Sequence, residues 1–280
     1  MKTVLITGAT SGIGKATALA LAKKGFNIVF IARNLARAVE VKEEIISVSN
    51  NKDVDFLMAD LSSLSQVHKC VESFRQKYQS VDLLINNAGI CLPYRRITED
   101  GFEETFQVNH LSHFLLTNLL LDLLKKAASA RIINVSSAVY KNASFDPLNL
   151  QSEQNYSSFG TYSNTKLLNL LFTIELAERL NGTGITVNAL HPGVVKTNFG
   201  SEMKGFHKTL STLFTPFFLT PEQGAATSIY LATSDEVKYI TGKYFEKGKI
   251  VEPDNEDINP ANRRLLWYKS LELSGFKLLN

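Results

Sequence analysis

From its second residue the chain exchanges short, almost continuously apolar runs for longer segments of helical spacing, and this regular exchange limits its fold more than any other feature. Lys2–Thr7 (KTVLIT) is the first run, and Gly12–Lys24 the first helical segment, ending against Gly25. Further runs are Asn27–Ala32, Val54–Ala59, Leu83–Asn86, Arg131–Ser136 and Ile185–Leu190. Helical stretches at Leu35–Val48, Leu64–Tyr78, Glu99–Lys126 and Phe159–Leu180 separate them. Runs that are apolar at consecutive positions belong to strands covered on both faces, and strands joined through helices pair in parallel. The expectation is an α/β fold: a doubly wound parallel sheet of about seven strands with helices on both faces. No repeat or linker divides residues 1–280, so one domain is expected, and the Pro/Asn-rich Glu252–Pro260 reads as a surface excursion. The apolar, aromatic stretch Gly205–Thr220, broken by Pro216, reads as part of a flap near residues 195–220 over a substrate pocket. A packed connection is the alternative.

Composition excludes several classes. A formal charge of +3, with no stripe of basic residues, does not suit a nucleic-acid binder. Two cysteines, Cys70 and Cys91, cannot build a disulfide framework and fit a reducing compartment; neither has a CxxC partner, so no metal site is expected. The opening MKTVLITGAT has no signal-peptide pattern, and no apolar run reaches the ~18–20 residues of a membrane span. The expected address is the cytoplasm.

The first strand runs into Thr7-Gly8-Ala9-Thr10-Ser11-Gly12-Ile13-Gly14 and then a helix. Glycines there allow a tight turn and close backbone approach to phosphates, and the helix N-terminus offers free N–H donors. A glycine turn made only for packing is the alternative. The second strand ends in Ala32-Arg33-Asn34, with no acid to bond a ribose 2′-hydroxyl. Arg33 presents a planar fork suited to a 2′-phosphate, with Asn34 or Arg37 as further contacts. The expectation is NADP(H), against the alternative of a solvated arginine. Asp60-Leu61 follows the third strand, where an acid can meet an adenine amino group, and Asn86-Asn87-Ala88-Gly89 ends the fourth.

Tyr162 and Lys166 stand four residues apart in a helical stretch, so both side chains share a face. A phenol is a poor base near neutrality, and a nearby ammonium lowers its pKa. The tyrosine can then exchange a proton with a substrate oxygen. Asn134-Val135-Ser136-Ser137 ends the fifth strand at the same sheet edge as the glycine turn, where a hydroxyl can hold a substrate oxygen.

Taken in order, TGATSGIG, Asp60, NNAG, Asn109, NVSS, YSNTK and His191-Pro192-Gly193 resemble the short-chain dehydrogenase/reductase family along nearly the whole chain. The resemblance implies a single-domain Rossmann fold and a catalytic tetrad of Asn109, Ser137, Tyr162 and Lys166. Tyr162 would exchange the proton and Ser137, rather than Ser136, would bind the substrate oxygen. Lys166 would hold the nicotinamide ribose, and Asn109 would support a water-linked proton relay. The cofactor would meet Gly8, Thr10, Ser11, Gly12, Ile13, Gly14, Asn87, Ala88 and Gly89, while Pro192, Gly193, Val194, Val195 and Thr197 would flank its carboxamide.

Ser137 and Tyr162 lie twenty-five residues apart, against about thirteen in many members of the family. The extra segment Tyr140–Gly160, with NNAGICLPY and LHPGVVKTNF, resembles the retinol-dehydrogenase-like branch, whose members tend to use NADP(H). The activity implied is reduction of a lipophilic aldehyde or ketone, retinal among them, or the reverse oxidation. The alternatives are a protochlorophyllide-type or other enone reductase and a non-catalytic NADP(H) sensor. A homo-oligomer is common in the family. His110 and His113 carry no carboxylate motif beside them and are read as solvated or packed, His191 as positioning, and Cys91 as a core thiol near the pocket.

Overall fold

The computed structural model describes residues 1–195 and 218–277. Its centre is one eight-stranded sheet in the order β3-β2-β1-β4-β5-β6-β7-β8. The strands are β1 (Thr3–Thr7), β2 (Asn27–Ala32), β3 (Val54–Met58), β4 (Leu83–Asn86), β5 (Arg131–Val135), β6 (Thr186–His191), β7 (Tyr244–Glu246) and β8 (Lys249–Val251). All neighbours pair in parallel except β7 with β8, which form an antiparallel edge. The sheet therefore has eight strands where about seven were expected, and the six apolar runs account for β1 to β6. β7 and β8 have three residues each, too few to register as runs.

Helices α1 (Gly12–Lys23), α2 (Leu35–Ser49) and α3 (Leu64–Lys77) follow the first three strands. Every residue of β1 and β4 is buried, as strands sandwiched between helical layers must be. One core lies between the sheet and α1 and α2, around Ile6, Phe30 and Ile45; another lies on the opposite face, around Phe74, Phe114 and Phe172.

The stretch expected to be helical from Glu99 to Lys126 is interrupted. A short α4 (Glu104–Phe106) leads into a π-turn over Gln107–Leu111, then α5 (Ser112–Leu119) and α6 (Leu121–Lys125). A π-turn carries one extra residue per turn and re-aims its side chains, and such turns gather at functional sites. The long α7 (Ser158–Arg179) is capped by the Ser157 hydroxyl, which accepts the Gly160 amide. Two helices that the apolar periodicity did not reveal complete the chain. α8 (Pro221–Thr233) opens with a capping box of Thr220 and Gln223, and α9 (Pro260–Ser274) packs on α7.

The Pro/Asn-rich segment Glu252–Pro260 does more than pass over the surface. Asn255 Nδ2 donates to the carbonyls of Tyr140 and Ala143, Asp257 accepts the Phe145 amide, and the Asp254 amide donates to the Tyr140 hydroxyl. It straps the inserted segment Tyr140–Gly160 to the body of the protein. Most of the flap stretch, residues 196–217, lies outside the described residues, Thr197 with it.

Candidate active site

Strand order reverses between β1 and β4, and the crevice outside the strand C-termini at such a switch point is where ligands bind in open α/β sheets. A cleft open to solvent at its mouth lies there. It is lined by Gly8, Thr10 to Gly14, Arg33, Asp60, Leu61, Asn87, Ala88 and Gly89, so those residues of four separate motifs meet in one place. Ile90, Cys91, Leu92 and Val108 line it as well, of which sequence reasoning had singled out only Cys91.

The glycines of the turn are demanded by the protein's own backbone. Gly8 has φ +69, and a Cβ on Gly14 would stand 2.3 Å from the Gly8 carbonyl oxygen and 2.4 Å from Asn87 Nδ2. Asn87 itself clamps the turn, its Nδ2 donating to the carbonyls of Thr7 and Gly8 at 2.9 and 3.2 Å. The packing explanation of the glycines thus holds alongside the ligand one. What favours a ligand is the start of α1: Ser11 stands at the N-cap, yet its side chain accepts no amide hydrogen bond there. By contrast Asn34 caps α2 and Asn259 caps α9 with side-chain oxygens. The first amides of α1 are left for an anion arriving in the cleft.

Arg33 is exposed on the cleft wall, and none of the ion pairs among the described residues includes it. Asn34 and Arg37 have other occupations. Asn34 Oδ1 accepts the Arg37 amide as the cap of α2, and the Arg37 guanidinium reaches the Thr10 carbonyl and Glu40. Asp60 lines the cleft while accepting the Ser62 amide and hydroxyl.

The residues expected to handle a proton gather behind Gly89 of the cleft wall. Lys166, on α7, is 3% exposed, and its Nζ lies 3.4 Å from where a Gly89 Cβ would be. Asn109 Oδ1 approaches that same point to 3.6 Å. Asn109, in the π-turn, holds the Ile90 backbone from both sides, accepting its amide at 2.8 Å and donating to its carbonyl at 2.9 Å. The Ser136 hydroxyl is engaged in the fold, donating to the Lys166 carbonyl at 2.8 Å. The Ser137 side chain instead makes a hydrogen bond with the Tyr162 phenol.

The expectation that the ammonium lowers the phenol pKa is corrected by the geometry. Lys166 Nζ sits 5.3 Å from the Tyr162 ring centroid and donates to the Val135 carbonyl at 3.0 Å. Burial dominates both groups. It holds the Tyr162 phenol above its ordinary value despite the Ser137 bond, and brings the Lys166 ammonium down to about 8. Near neutrality the lysine remains a cation.

The inserted segment forms the adjoining wall. The Tyr156 hydroxyl donates to the Leu92 carbonyl, Gln151 accepts the Glu103 amide, and Cys91 Sγ rests 3.2 Å from Ser158 Oγ. Across the cleft, Val195 packs near Gly224 and Ile13, which brings the Pro192–Val195 loop over the start of α1. Gly193 has φ +87 and leaves room for Leu219.

His110 and His113 point away from each other's partners. His110 Nε2 meets Ser270 Oγ of α9 within a cage of Phe106, Phe114 and Phe172, and His113 meets Thr7. Thr7 is the participant that sequence reasoning missed. Its position at the last residue of a strand before a glycine turn was the available signal.

Comparison with known proteins agrees with this layout. The family model described as short chain dehydrogenase matches residues 2–205. Retinol dehydrogenase 13 of Homo sapiens is 43% identical over 286 residues, covering 99% of this chain and 85% of that protein. Among solved structures, an uncharacterised protein from Mycobacterium paratuberculosis superposes with a TM-score of 0.79 at 30% identity, covering 98% of this chain and 94% of that one. The Pseudomonas aeruginosa RhlG/NADP active-site complex gives a TM-score of 0.69 at 25% identity, covering 87% and 93%.

Proposed function

Because the chain belongs to the short-chain dehydrogenase family, in its retinol-dehydrogenase-like branch, we propose that it interconverts a lipophilic aldehyde or ketone with its alcohol, using NADP(H). The coarse activity, oxidoreduction between alcohol and carbonyl with a nicotinamide dinucleotide, comes with the family. The choice of NADP(H) is supported by Arg33 on the cleft wall beside a strand end that lacks an acid, and the similar RhlG structure is a complex with NADP. Retinal and retinol are the substrate pair suggested by the name of the human relative. Apolar exposure agrees: Phe159, one turn before Tyr162 on the same helix, is more than half exposed.

The observation that carries the proposal is the Ser137–Tyr162–Lys166 group beside Gly89, in the wall of a cleft with an uncapped helix N-terminus. When bound, the dinucleotide supplies or accepts the hydride. Gly8, Thr10 to Gly14 and Asn87 to Gly89 hold its phosphates and ribose by backbone approach. Ser137 Oγ orients the substrate oxygen, and Tyr162 Oη delivers its proton to that oxygen in reduction and withdraws it in oxidation. Lys166, a cation near neutrality, would hold the nicotinamide ribose. A sensor that only binds NADP(H) has no need for both Tyr162 and Lys166, and the oxidoreductase reading is preferred for that reason.

The test is a panel of aliphatic aldehydes, ketones and retinal with NADPH and with NADH. Tyr162→Phe is expected to lower turnover about 10²- to 10⁴-fold while NADPH binding persists. Binding without turnover in the wild-type protein would favour the sensor instead.

A further inference from the structure

His113 is 2% exposed, and both its ring nitrogens are engaged. Nδ1 lies 3.1 Å from the Asn109 carbonyl oxygen and Nε2 lies 2.8 Å from Thr7 Oγ1. A carbonyl can only accept, so Nδ1 carries the proton, and Nε2, left as the acceptor, receives the Thr7 hydroxyl. The Thr7 oxygen in turn accepts the backbone amides of Asn87 and Ala88, both at 2.9 Å. The Thr7 hydroxyl also has the Ile85 carbonyl at 3.5 Å, a longer contact than the 2.8 Å to Nε2. With two amides on its two lone pairs the Thr7 oxygen has no place for a third donor, so a protonated Nε2 does not fit. Burial keeps the ring neutral, with its pKa brought down to about 4, and the neighbouring Lys166 charge acts in the same direction.

The chain joins parts of the molecule distant in sequence. At one end Asn87 and Ala88 line the cleft below the glycine turn. At the other, Asn109 Nδ2 donates to Thr165 Oγ1 at 3.1 Å, and Thr165 Oγ1 donates to the Tyr162 carbonyl at 2.7 Å. We infer that His113 is a positioning residue: a neutral imidazole protonated on Nδ1 that holds the cofactor-binding turns and the catalytic helix in one register through the Asn109 turn. This rests on the oxidoreductase reading and adds to it a residue that touches neither substrate nor cofactor. The π-turn gives the arrangement its geometry, since Asn109 must present its side chain to Ile90 and Thr165 while its carbonyl faces His113 one turn on.

The test has two parts. His113→Phe keeps an aromatic ring and removes both bonds. His113→Asn restores a donor near the Nδ1 position, and His113→Gln restores a polar group near Nε2. The Phe variant is expected to lose kcat roughly 10- to 100-fold with KM for the carbonyl substrate nearly unchanged, because misalignment affects the reaction step rather than binding. Asn and Gln, each restoring one bond, are expected to recover only part of that loss. A folded Phe variant with kcat within about twofold of wild type would overturn the inference. Independently of turnover, long-range ¹H–¹⁵N correlation spectra of histidine-labelled wild-type protein read the tautomer directly. The signals of His113 are expected to show a protonated Nδ1 and a bare Nε2 from about pH 5.5 to about pH 8.5. The opposite tautomer, or a titration within that range, would overturn it even if the Phe variant failed to fold. Absence of turnover in the wild type would remove the oxidoreductase reading but leave the spectrum to decide the hydrogen-bond chain.

Discussion

Replacing Lys166 with methionine separates the cost of the active site from its use. The lysine is fully enclosed, and its pKa falls from 10.5 to about 8 through desolvation. That fall of about 2.5 units corresponds to about 3 kcal/mol of native-state cost at pH 7, at about 1.4 kcal/mol per unit. In the unfolded chain the group stays protonated up to about pH 10.5, whereas the native group releases its proton near pH 8. The unfolded state therefore binds more protons across that window, and stability rises with pH there. The cost is present in full below pH 8 and gone above pH 10.5. Between pH 7 and pH 10 this one group returns about 2.5 kcal/mol. Lys166→Met abolishes the effect but leaves the Val135 carbonyl without its 3.0 Å donor, a loss of about 1–3 kcal/mol. The variant should thus match or slightly exceed wild type at pH 7, then fall behind by a further ~2.5 kcal/mol at pH 10. The assay is urea unfolding of both cofactor-free proteins at the two pH values, in which all other titrations cancel in the difference. For a chain of this length the same change equals about 4 °C in Tm. A stability difference that stays constant between the two pH values, to within about 0.5 kcal/mol, would refute a depressed lysine and with it the burial argument.

Other consequences are simpler to measure. Arg33→Ser should weaken NADPH binding about 10- to 100-fold and NADH binding by less than about threefold, by fluorescence titration; equal losses would remove the 2′-phosphate role. Gly14→Ala places a methyl against the Gly8 carbonyl, so it should lower the urea-derived stability by about 1–3 kcal/mol and weaken the binding of either nucleotide. An unchanged midpoint would mean that the turn yields at no cost. Asn255→Ala should loosen the inserted segment, costing about 1–2 kcal/mol and raising amide exchange at Ala143 and Phe145. Unaltered exchange there would show that the strap does not hold the insertion.

Much of this protein can be read from local pattern. Doubly buried strands must be apolar at consecutive positions, so the apolar runs locate β1 to β6 to within a residue or two, and the glycine turn after β1 declares the cleft. Tyr162 and Lys166 are readable because four residues on a helix is one turn. The short edge strands β7 and β8 were not, since three residues carry no periodicity, and the interruption at Gln107–Leu111 was hidden in a stretch whose spacing suits a continuous helix. No local signal separates Ser136 from Ser137 either; the family resemblance favoured the second. In the fold, one hydroxyl binds the Lys166 carbonyl and the other meets the phenol.

The chain's own order of residues therefore determined the layered sheet, the glycine turn and the placing of Tyr162 and Lys166 on one helix face, because each depends on neighbours within a few positions. Tertiary structure alone decided the charge balance of the pair and the partners of its supports. Desolvation and hydrogen bonding depend on what other segments bring into contact. The lysine's pKa follows from enclosure beside Gly89, and the tautomer of His113 from a threonine 106 positions earlier in the chain.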